Sequence, residues 1–430
     1  MVSTLESDRE RYFGTLARVT SVYWRDVLPE RVSAPEPPPA SADIVVIGAG
    51  FAGLSIALDL LEHRPGGRVI VLEARHAGFG ASGRNAGGVL PLGVLPWLLP
   101  GSAGAHDPRE MQRLLHDRID TRMRELRGLH PAGEITRTRM RLIGGSAFLA
   151  AGLDVVADAV TASGIEVEQE AAGFSLGSWT IQPAALAESL AAELSAAGGA
   201  LFENSPADSV EPADDGVVVR LRSGQVVRAD RVVVCTGAYT GGLSLPDPPA
   251  GRVVHTYMRA GEPEDVDDDL FRTAPELGMA YWRRHRGRLL FGGLDLGGLT
   301  PGAEADALPR AHHKVDRLLA RRLPAEAGTP ATHRWGGPLH VSSAEVPQLA
   351  RSAVTDRVVY AVGFAGSGVA LTLTAGPLVR DLVLGPGAAD PEGVALREAM
   401  TSTTIPWRGV LGALRRGPSK LARRLLHEGF

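Results

Sequence analysis

Short apolar runs bounded by glycine alternate with apolar residues at helical spacing along most of this chain. Ile44 to Ile47 reads as a buried strand, a glycine cluster follows, Leu54, Ala57, Leu58 and Leu61 recur at helical spacing, Gly66-Gly67 breaks the pattern, and Val69 to Leu72 is a second run. That order predicts a βαβ unit with parallel strands. Farther on, the pattern predicts a helix rich in Arg and Leu over 108–128, a strand over Arg139 to Ile143 and a helix over 146–163. Pro183 opens an alanine-rich helix with Leu186, Leu190 and Leu194 on one face, and Gly198-Gly199 closes it. Strands are expected at 217–222, 231–235, 252–259 and 288–294, the last two around the acidic stretch GEPEDVDDD, which suits a solvated loop. A last βα unit runs from Val358 to Val362 through GFAGSG into a helix from Val369 to Leu384. No internal repeat is visible.

The ends differ from this body. Leu16, Val19, Val22, Tyr23 and Leu28 are loosely helical in spacing, and SAPEPPPAS at 33–41 is held extended by its prolines. An N-terminal arm packed against the body, then a stiff linker, is expected over 1–41. Arg408, Arg415, Arg416, Lys420, Arg423 and Arg424 make 401–430 a basic tail, best suited to solvent. The apolar segment 88–101, GVLPLGVLPWLLPG, is too short and too proline-broken to cross a bilayer and reads as a buried or gating loop.

Composition narrows the function. Forty-five Lys plus Arg against 49 Asp plus Glu leave a net charge of −4, with no basic excess for nucleic acid. A lone cysteine, Cys235, rules out an intramolecular disulfide or a thiolate zinc site and suits a small core position. His312-His313 diverge on a predicted helix, as surface residues do, and not as metal ligands. A charged N-terminus without an apolar leader, and no membrane span, make a cytoplasmic protein the expectation. Glycine, at 52 of 430 residues, is enriched well above the ~7% average, so special backbone positions are expected.

The chemistry concentrates at Gly48-Ala49-Gly50-Phe51-Ala52-Gly53, a G-x-G-x-x-G between strand and helix. Gly48 permits the tight turn, Gly50 admits a pyrophosphate, and Gly53 lets the helix pack on the strand. The N–H groups of Phe51 and Ala52 open the helix toward phosphate. Glu73, twenty residues after Gly53, ends the second strand, where a carboxylate accepts ribose hydroxyls. NAD and FAD share this fingerprint. Two further loops favour FAD: ARHAGFGASGRNAGG, with Ser82, Arg84 and a run of backbone amides, and Gly363-Phe364-Ala365-Gly366-Ser367-Gly368 at a second helix start.

With these motifs in order over about residues 42–385, together with RVVVCTGAYT, RLLFGGLD, HRWGGPLHVSSAEVPQLA and AVGFAGSGVALTLTAGPLV, the chain resembles the D-amino acid oxidase superfamily of FAD-dependent amine and amino-acid oxidoreductases. The RWGG and GASGRN forms are most similar to its γ-glutamylputrescine oxidoreductase-like and glycine oxidase-like branches. The resemblance implies an α/β and α+β fold: a discontinuous Rossmann-like FAD-binding domain (42–95, 180–250, 340–400) and an antiparallel-sheet substrate domain (96–179, 251–339). It implies FAD contacts from Gly48, Gly50, Phe51, Ala52 and Gly53, from Glu73, Ala74 and Arg75, from Ala81, Ser82, Arg84, Asn85, Ala86 and Gly87, from Thr236 and Gly237, and from Gly363, Gly366, Ser367, Gly368 and Val369.

The implied reaction is oxidation of a C–N bond to an imine by hydride transfer to flavin N5, with a small amine or amino acid as substrate and O2 as the expected acceptor. His255, Tyr257, Tyr281 and Trp335 are the candidate pocket residues; Tyr281 and Trp282 alternate faces, so at most one points inward. Three positions depart from the pattern. Ala370 stands where sarcosine-oxidase-like members carry an oxygen-activating lysine, and Ser367 where this branch has histidine. Asn85 stands at a flavin-attaching histidine's place, which implies non-covalent FAD. An apolar Val369-Ala370-Leu371 wall implies a substrate without a carboxylate on the reacting carbon, unless Arg283 or Arg334 supplies a cation. A flavin monooxygenase remains an alternative, although VGFAGSGVALT lacks the acid of that class's second ribitol motif; a flavin-bound assembly protein without turnover is another.

Overall fold

The computed structural model describes residues 22–29, 36–98, 102–144, 147–264, 271–274, 280–295, 304–342 and 345–403. In chain order the strands are β1 (Ser41–Ile47), β2 (Val69–Leu72), β3 (Gly88–Val89), β4 (Thr136–Ile143), β5 (Val167–Glu170), β6 (Gly173–Thr180), β7 (Ala200–Phe202), β8 (Ala207–Ala213) and β9 (Gly216–Leu221). They continue with β10 (Val226–Val234), β11 (Arg252–Pro263), β12 (Phe271–Ala274), β13 (Ala280–His285), β14 (Arg288–Asp295), β15 (Ala331–Val341), β16 (Gln348–Arg351) and β17 (Val358–Val362).

Two sheets result. The first runs β16-β17-β10-β1-β2-β7, parallel from β17 to β7, with β9 and β8 added antiparallel beside β10. Alternation along its strands divides two cores. Ile44, Val46, Val69, Val71 and Val233 join the helices Phe51–His63, Pro183–Ala196 and Ala375–Leu384 on one face, while Val45, Ile47, Ile70, Val232 and Val234 meet Val210, Val217 and Val219 on the other. Strands buried on both faces are continuously apolar, which is why VIVL and VVYAV were legible. The second sheet runs β15-β11-β14-β13-β12-β4-β6-β3 with β5 on β6, antiparallel except for β12 beside β4. The Rossmann-like domain and the second antiparallel sheet match the sequence expectation.

Three expectations change. The helix Pro108–Leu129, assigned from sequence to the substrate segment, sends Met111, Leu115, Ile119, Met123 and Leu126 into the same core as Ile44 and Val71. Beside that face, Arg118 pairs with Asp390 and Glu392. The single helix expected from Val369 to Leu384 is two helices, Gly368–Leu373 and Ala375–Leu384, bent by 72°. Pro377 has no N–H for the Leu373 carbonyl and its ring would strike it. His312 is buried, and only His313 is exposed.

The remaining pieces settle as follows. Tyr23–Asp26 forms one helical turn packed against the body, as expected for the arm, while 1–21 lies outside the described residues. So do residues 265–269 of the acidic stretch and 404–430 of the basic tail. In the 88–101 segment Trp97 is buried and donates from Nε1 to Thr403 Oγ1 at 2.9 Å. No single helix among the described residues is long and apolar enough to cross a membrane.

Candidate functional site

The first glycine loop leaves β1 and opens the Phe51–His63 helix. Gly48 has φ +106°, and a Cβ there would lie 2.8 Å from the Cys235 carbonyl oxygen at the end of β10. At Gly53 a Cβ would lie 1.8 Å from the Gly48 oxygen, so helix and strand approach as the motif requires. Gly50 faces the next loop: its Cβ would stand 2.9 Å from Ser82 Oγ, which itself accepts the Phe51 N–H at 2.9 Å. Gly50 caps the helix without a side-chain hydrogen bond. The N–H groups of Ala52 and Gly53 thus remain directed at the loop mouth, as an anion site needs.

Glu73 stands at the end of β2. Its Oε2 accepts the Ala49 N–H at 2.8 Å and its Oε1 the Arg75 N–H at 2.9 Å; burial pushes its carboxyl above the ordinary range. Each oxygen keeps a further lone pair for a ribose hydroxyl. Ala74 lies between these partners. Glu203, which sequence reading missed, is buried alongside and accepts the Ala77 N–H at 2.8 Å. Its signal, an acid immediately after the three-residue β7, was too short to read.

The second loop, Ala81 to Gly87, is held from within and from behind. Asn85 Nδ2 donates to the carbonyls of Ala81 and Ser82 at 3.2 and 2.7 Å, and its Oδ1 accepts the Gly87 N–H at 2.8 Å. Arg84, expected among cofactor ligands, is buried: Nε donates to Phe79 O and NH1 to Gly336 O. Trp335 is fully buried and donates its indole N–H to the Arg84 carbonyl at 2.8 Å. It therefore holds the loop from behind.

The third loop follows β17. Gly363 takes φ +77° and Ala365 φ +49°, a left-handed conformation that costs a residue with a Cβ of order 1 kcal/mol. Gly366 is exposed with open space where a Cβ would stand, as is true above Gly237, next to Thr236, at the end of β10. Ser367 is buried and Gly368 and Val369 half-buried at the start of a six-residue helix. So short a helix offers first-turn N–H groups more than a long dipole. Strand β15 links both loops, through Gly336 to Arg84 and through a bridge from Val341 to Phe364.

Register decides which side chains of the second sheet face these loops. Arg283 on β13 donates to the Gly87 carbonyl at 3.0 Å, and Tyr281, two residues earlier, packs on the cluster that holds Ala86, Met258 and Trp335. Tyr281 is thus on the loop-facing side, where its hydroxyl meets Thr256 Oγ1 from β11, and burial pushes its pKa far up. His255 and Tyr257 face the other way. Tyr257 lies 5.8 Å from the His312 ring and packs under the helix Glu304–Arg322 with Trp282 and Phe291. His255 stacks on Tyr257 at 6.3 Å. The structure therefore brings Tyr281 to the loops and separates His255 and Tyr257 from them. Thr256 and Met258, unmarked in the sequence, replace them. Arg334 shares the outer face, with both guanidinium arms on Asp316 at 3.1 and 2.9 Å.

Donors at a helix start, a carboxylate at the end of the second strand and open space over two glycines together fit a dinucleotide laid across the β1, β2 and β10 ends. The family described as FAD dependent oxidoreductase (DAO) matches residues 43–382. The chain is 26% identical to the probable oxidoreductase OrdL of Rhizobium meliloti (strain 1021), over 90% of this chain and 96% of that protein. It is 27% identical to the gamma-glutamylputrescine oxidoreductase of Escherichia coli (strain K12), over 80% of this chain and 84% of that one. Among solved structures, glycine oxidase from Geobacillus kaustophilus is similar in fold with a TM-score of 0.64 at 20% identity, covering 80% of this chain and 95% of that one.

Proposed function

Because the chain belongs to the FAD dependent oxidoreductase family over residues 43–382, we propose that it oxidises the C–N bond of an amine or amino acid to an imine, with FAD held non-covalently and O2 as acceptor. The observation that carries this reading is the chain of contacts joining the three glycine loops to the second sheet: the Phe51 N–H of the first loop meets Ser82 of the second, Arg283 on the Tyr281 face donates to Gly87 O, and Val341 of β15 bridges to Phe364 of the third. FAD supplies the hydride acceptor at N5 when bound. The chain's own task is to hold a neutral amine with its Cα–H aimed at that site and to exclude water. Tyr281 and Thr256 offer hydroxyls for the amine, and Met258 and Leu290 dry the surface behind them.

Two side chains near the loops support non-covalent attachment. Asn85 spends its amide within its own loop. Cys235 is buried in the core, where desolvation pushes its thiol pKa up and keeps the nucleophilic thiolate from forming. The substrate is proposed to carry no carboxylate on its reacting carbon, since Ala370 is a buried methyl and Arg334 is committed to the outer face. The deciding experiment is an anaerobic screen of amines and amino acids for loss of flavin absorbance, followed by air. Bleaching by an amine and recovery in air supports the reading. A yellow protein that no amine bleaches returns the assignment to a non-catalytic flavin binder.

A further inference from the structure

Two buried indoles hold two consecutive carbonyls of the second loop. Trp335 of β15 donates to Arg84 O at 2.8 Å, and Trp24 of the N-terminal arm donates to Asn85 O at 2.7 Å. Both rings are fully buried in one cluster with Ala86. In a trans peptide the N–H points opposite to the carbonyl. Fixing these carbonyls therefore turns the N–H groups of Asn85 and Ala86 to the other side of the loop, away from the indoles. Among the described residues neither N–H has a protein acceptor.

The arm is anchored well enough to do this. Gln182 donates to the Trp24 carbonyl at 2.9 Å, Arg25 pairs with Glu188, and Arg283 lies over the Trp24 ring at 5.6 Å. Tyr23 hydroxyl meets His285 Nδ1 at 2.7 Å, and His285 Nε2 meets Glu134 at 2.9 Å.

We infer that Trp24 is a positioning residue for the cofactor: the N-terminal arm is a latch that, with Trp335, aims the Asn85 and Ala86 N–H groups at the flavin ring. This rests on the glycine loops being the FAD site. The loop lacks regular secondary structure between its 3-10 turn and β3, so side-chain hydrogen bonds set its peptide planes: the Asn85 amide from within, and the two indoles on the Arg84 and Asn85 carbonyls from outside.

The test compares Trp24→Phe, which keeps an aromatic ring and removes the N–H, with wild type and with Trp335→Phe. Apo-protein thermal unfolding, the FAD dissociation constant and the visible spectrum and midpoint potential of bound flavin are read in each. Trp24→Phe is expected to weaken FAD binding by about 3- to 10-fold, the worth of one neutral hydrogen bond. It should also shift the flavin bands and potential, and the loss of FAD affinity should exceed what the fall in apo melting temperature from the unpaired Asn85 carbonyl accounts for. Trp335→Phe should give the same signature, and the double variant less than the sum, because both indoles act on one loop. A Trp24→Phe protein with wild-type FAD affinity, spectrum and potential overturns the latch. So does a loss fully matched by a fall in apo stability. A wild-type protein that binds no FAD instead overturns the function on which the latch rests.

Discussion

Arg283 reaches from the substrate sheet to the Gly87 carbonyl of the second loop, with one guanidinium nitrogen 3.0 Å from Gly87 O and 3.1 Å from Ile181 O. Gly87 itself has φ +76°, and a Cβ there would lie 2.8 Å from that nitrogen and 2.5 Å from Ile181 O. Sheet and loop are thus locked by one buried cation on two backbone oxygens. Replacing Arg283 by Met keeps much of the volume and orphans the Ile181 carbonyl, at a cost of about 1–3 kcal/mol. Thermal unfolding should show that loss, with lower FAD occupancy beside it. An unchanged melting temperature contradicts the lock.

Glu73 carries a second prediction. Since its two oxygens already hold the Ala49 and Arg75 N–H groups, Glu73→Ala should reduce apo stability as well as FAD affinity. Losing a charged acceptor, worth about 1.5–3 kcal/mol, corresponds to roughly a 10- to 150-fold rise in the FAD dissociation constant. Titration of apo-protein with FAD checks it; an unchanged constant shows that the carboxylate serves only the loop.

The motif and the sheet it sits in were readable because local pattern dictated them. Gly48 takes the tight turn and Gly53 the close helix–strand approach that their spacing implies, and Glu73 stands at the end of β2 beside Ala49 of the same βαβ unit. The pocket was less legible. His255 and Tyr257 are chemically tempting, yet which face of β11 turns to the loops depends on where the helix Glu304–Arg322 packs, a contact remote in sequence. The break at Pro377 was in the sequence but was masked by the apolar run on both sides. β6, reading GFSLGSWT, carries too little apolar alternation to announce itself, although Phe174 and Leu176 are buried.

The two faces predict different outcomes for two tyrosines. Tyr281→Phe removes a hydroxyl from the loop-facing side and should lower kcat/KM for amine by about tenfold, the scale of one neutral hydrogen bond. Tyr257→Phe, on the helix-covered side, should change kcat/KM by less than about twofold and act on stability alone. Anaerobic stopped-flow reduction distinguishes them, and a larger effect at Tyr257 reverses the assignment of faces.

His312 gives a pH signature. Buried under its helix against Tyr257, with the Arg334 cation near and Asp316 opposing, it is pushed from an ordinary 6.5 down to about 4. The unfolded chain takes up this proton first. Its contribution to stability is therefore complete above pH ~6.5 and lost as pH falls toward ~4, by up to the order of 3 kcal/mol. His312→Phe should flatten the pH dependence of urea unfolding in that window; an equal slope in both proteins refutes a buried neutral imidazole.

Substrate charge is the last consequence. An amino acid in this pocket needs a cation for the carboxylate beside its reacting carbon, because a desolvated, unpaired carboxylate costs several kcal/mol. Ala370 offers only a methyl. Arg334 is paired bidentately with Asp316 on the face turned away from the loops. Arg283 is on the correct face but is buried and donates to the Gly87 and Ile181 carbonyls, so recruiting it would unlock the loop. Amines with no carboxylate on the reacting carbon should therefore reduce the flavin faster than glycine or sarcosine in matched anaerobic assays, and Ala370→Lys should narrow the gap. Faster reduction by the amino acids in the wild-type protein would mean that Arg283 exchanges its backbone partners for substrate, and the preference proposed for this pocket would be wrong.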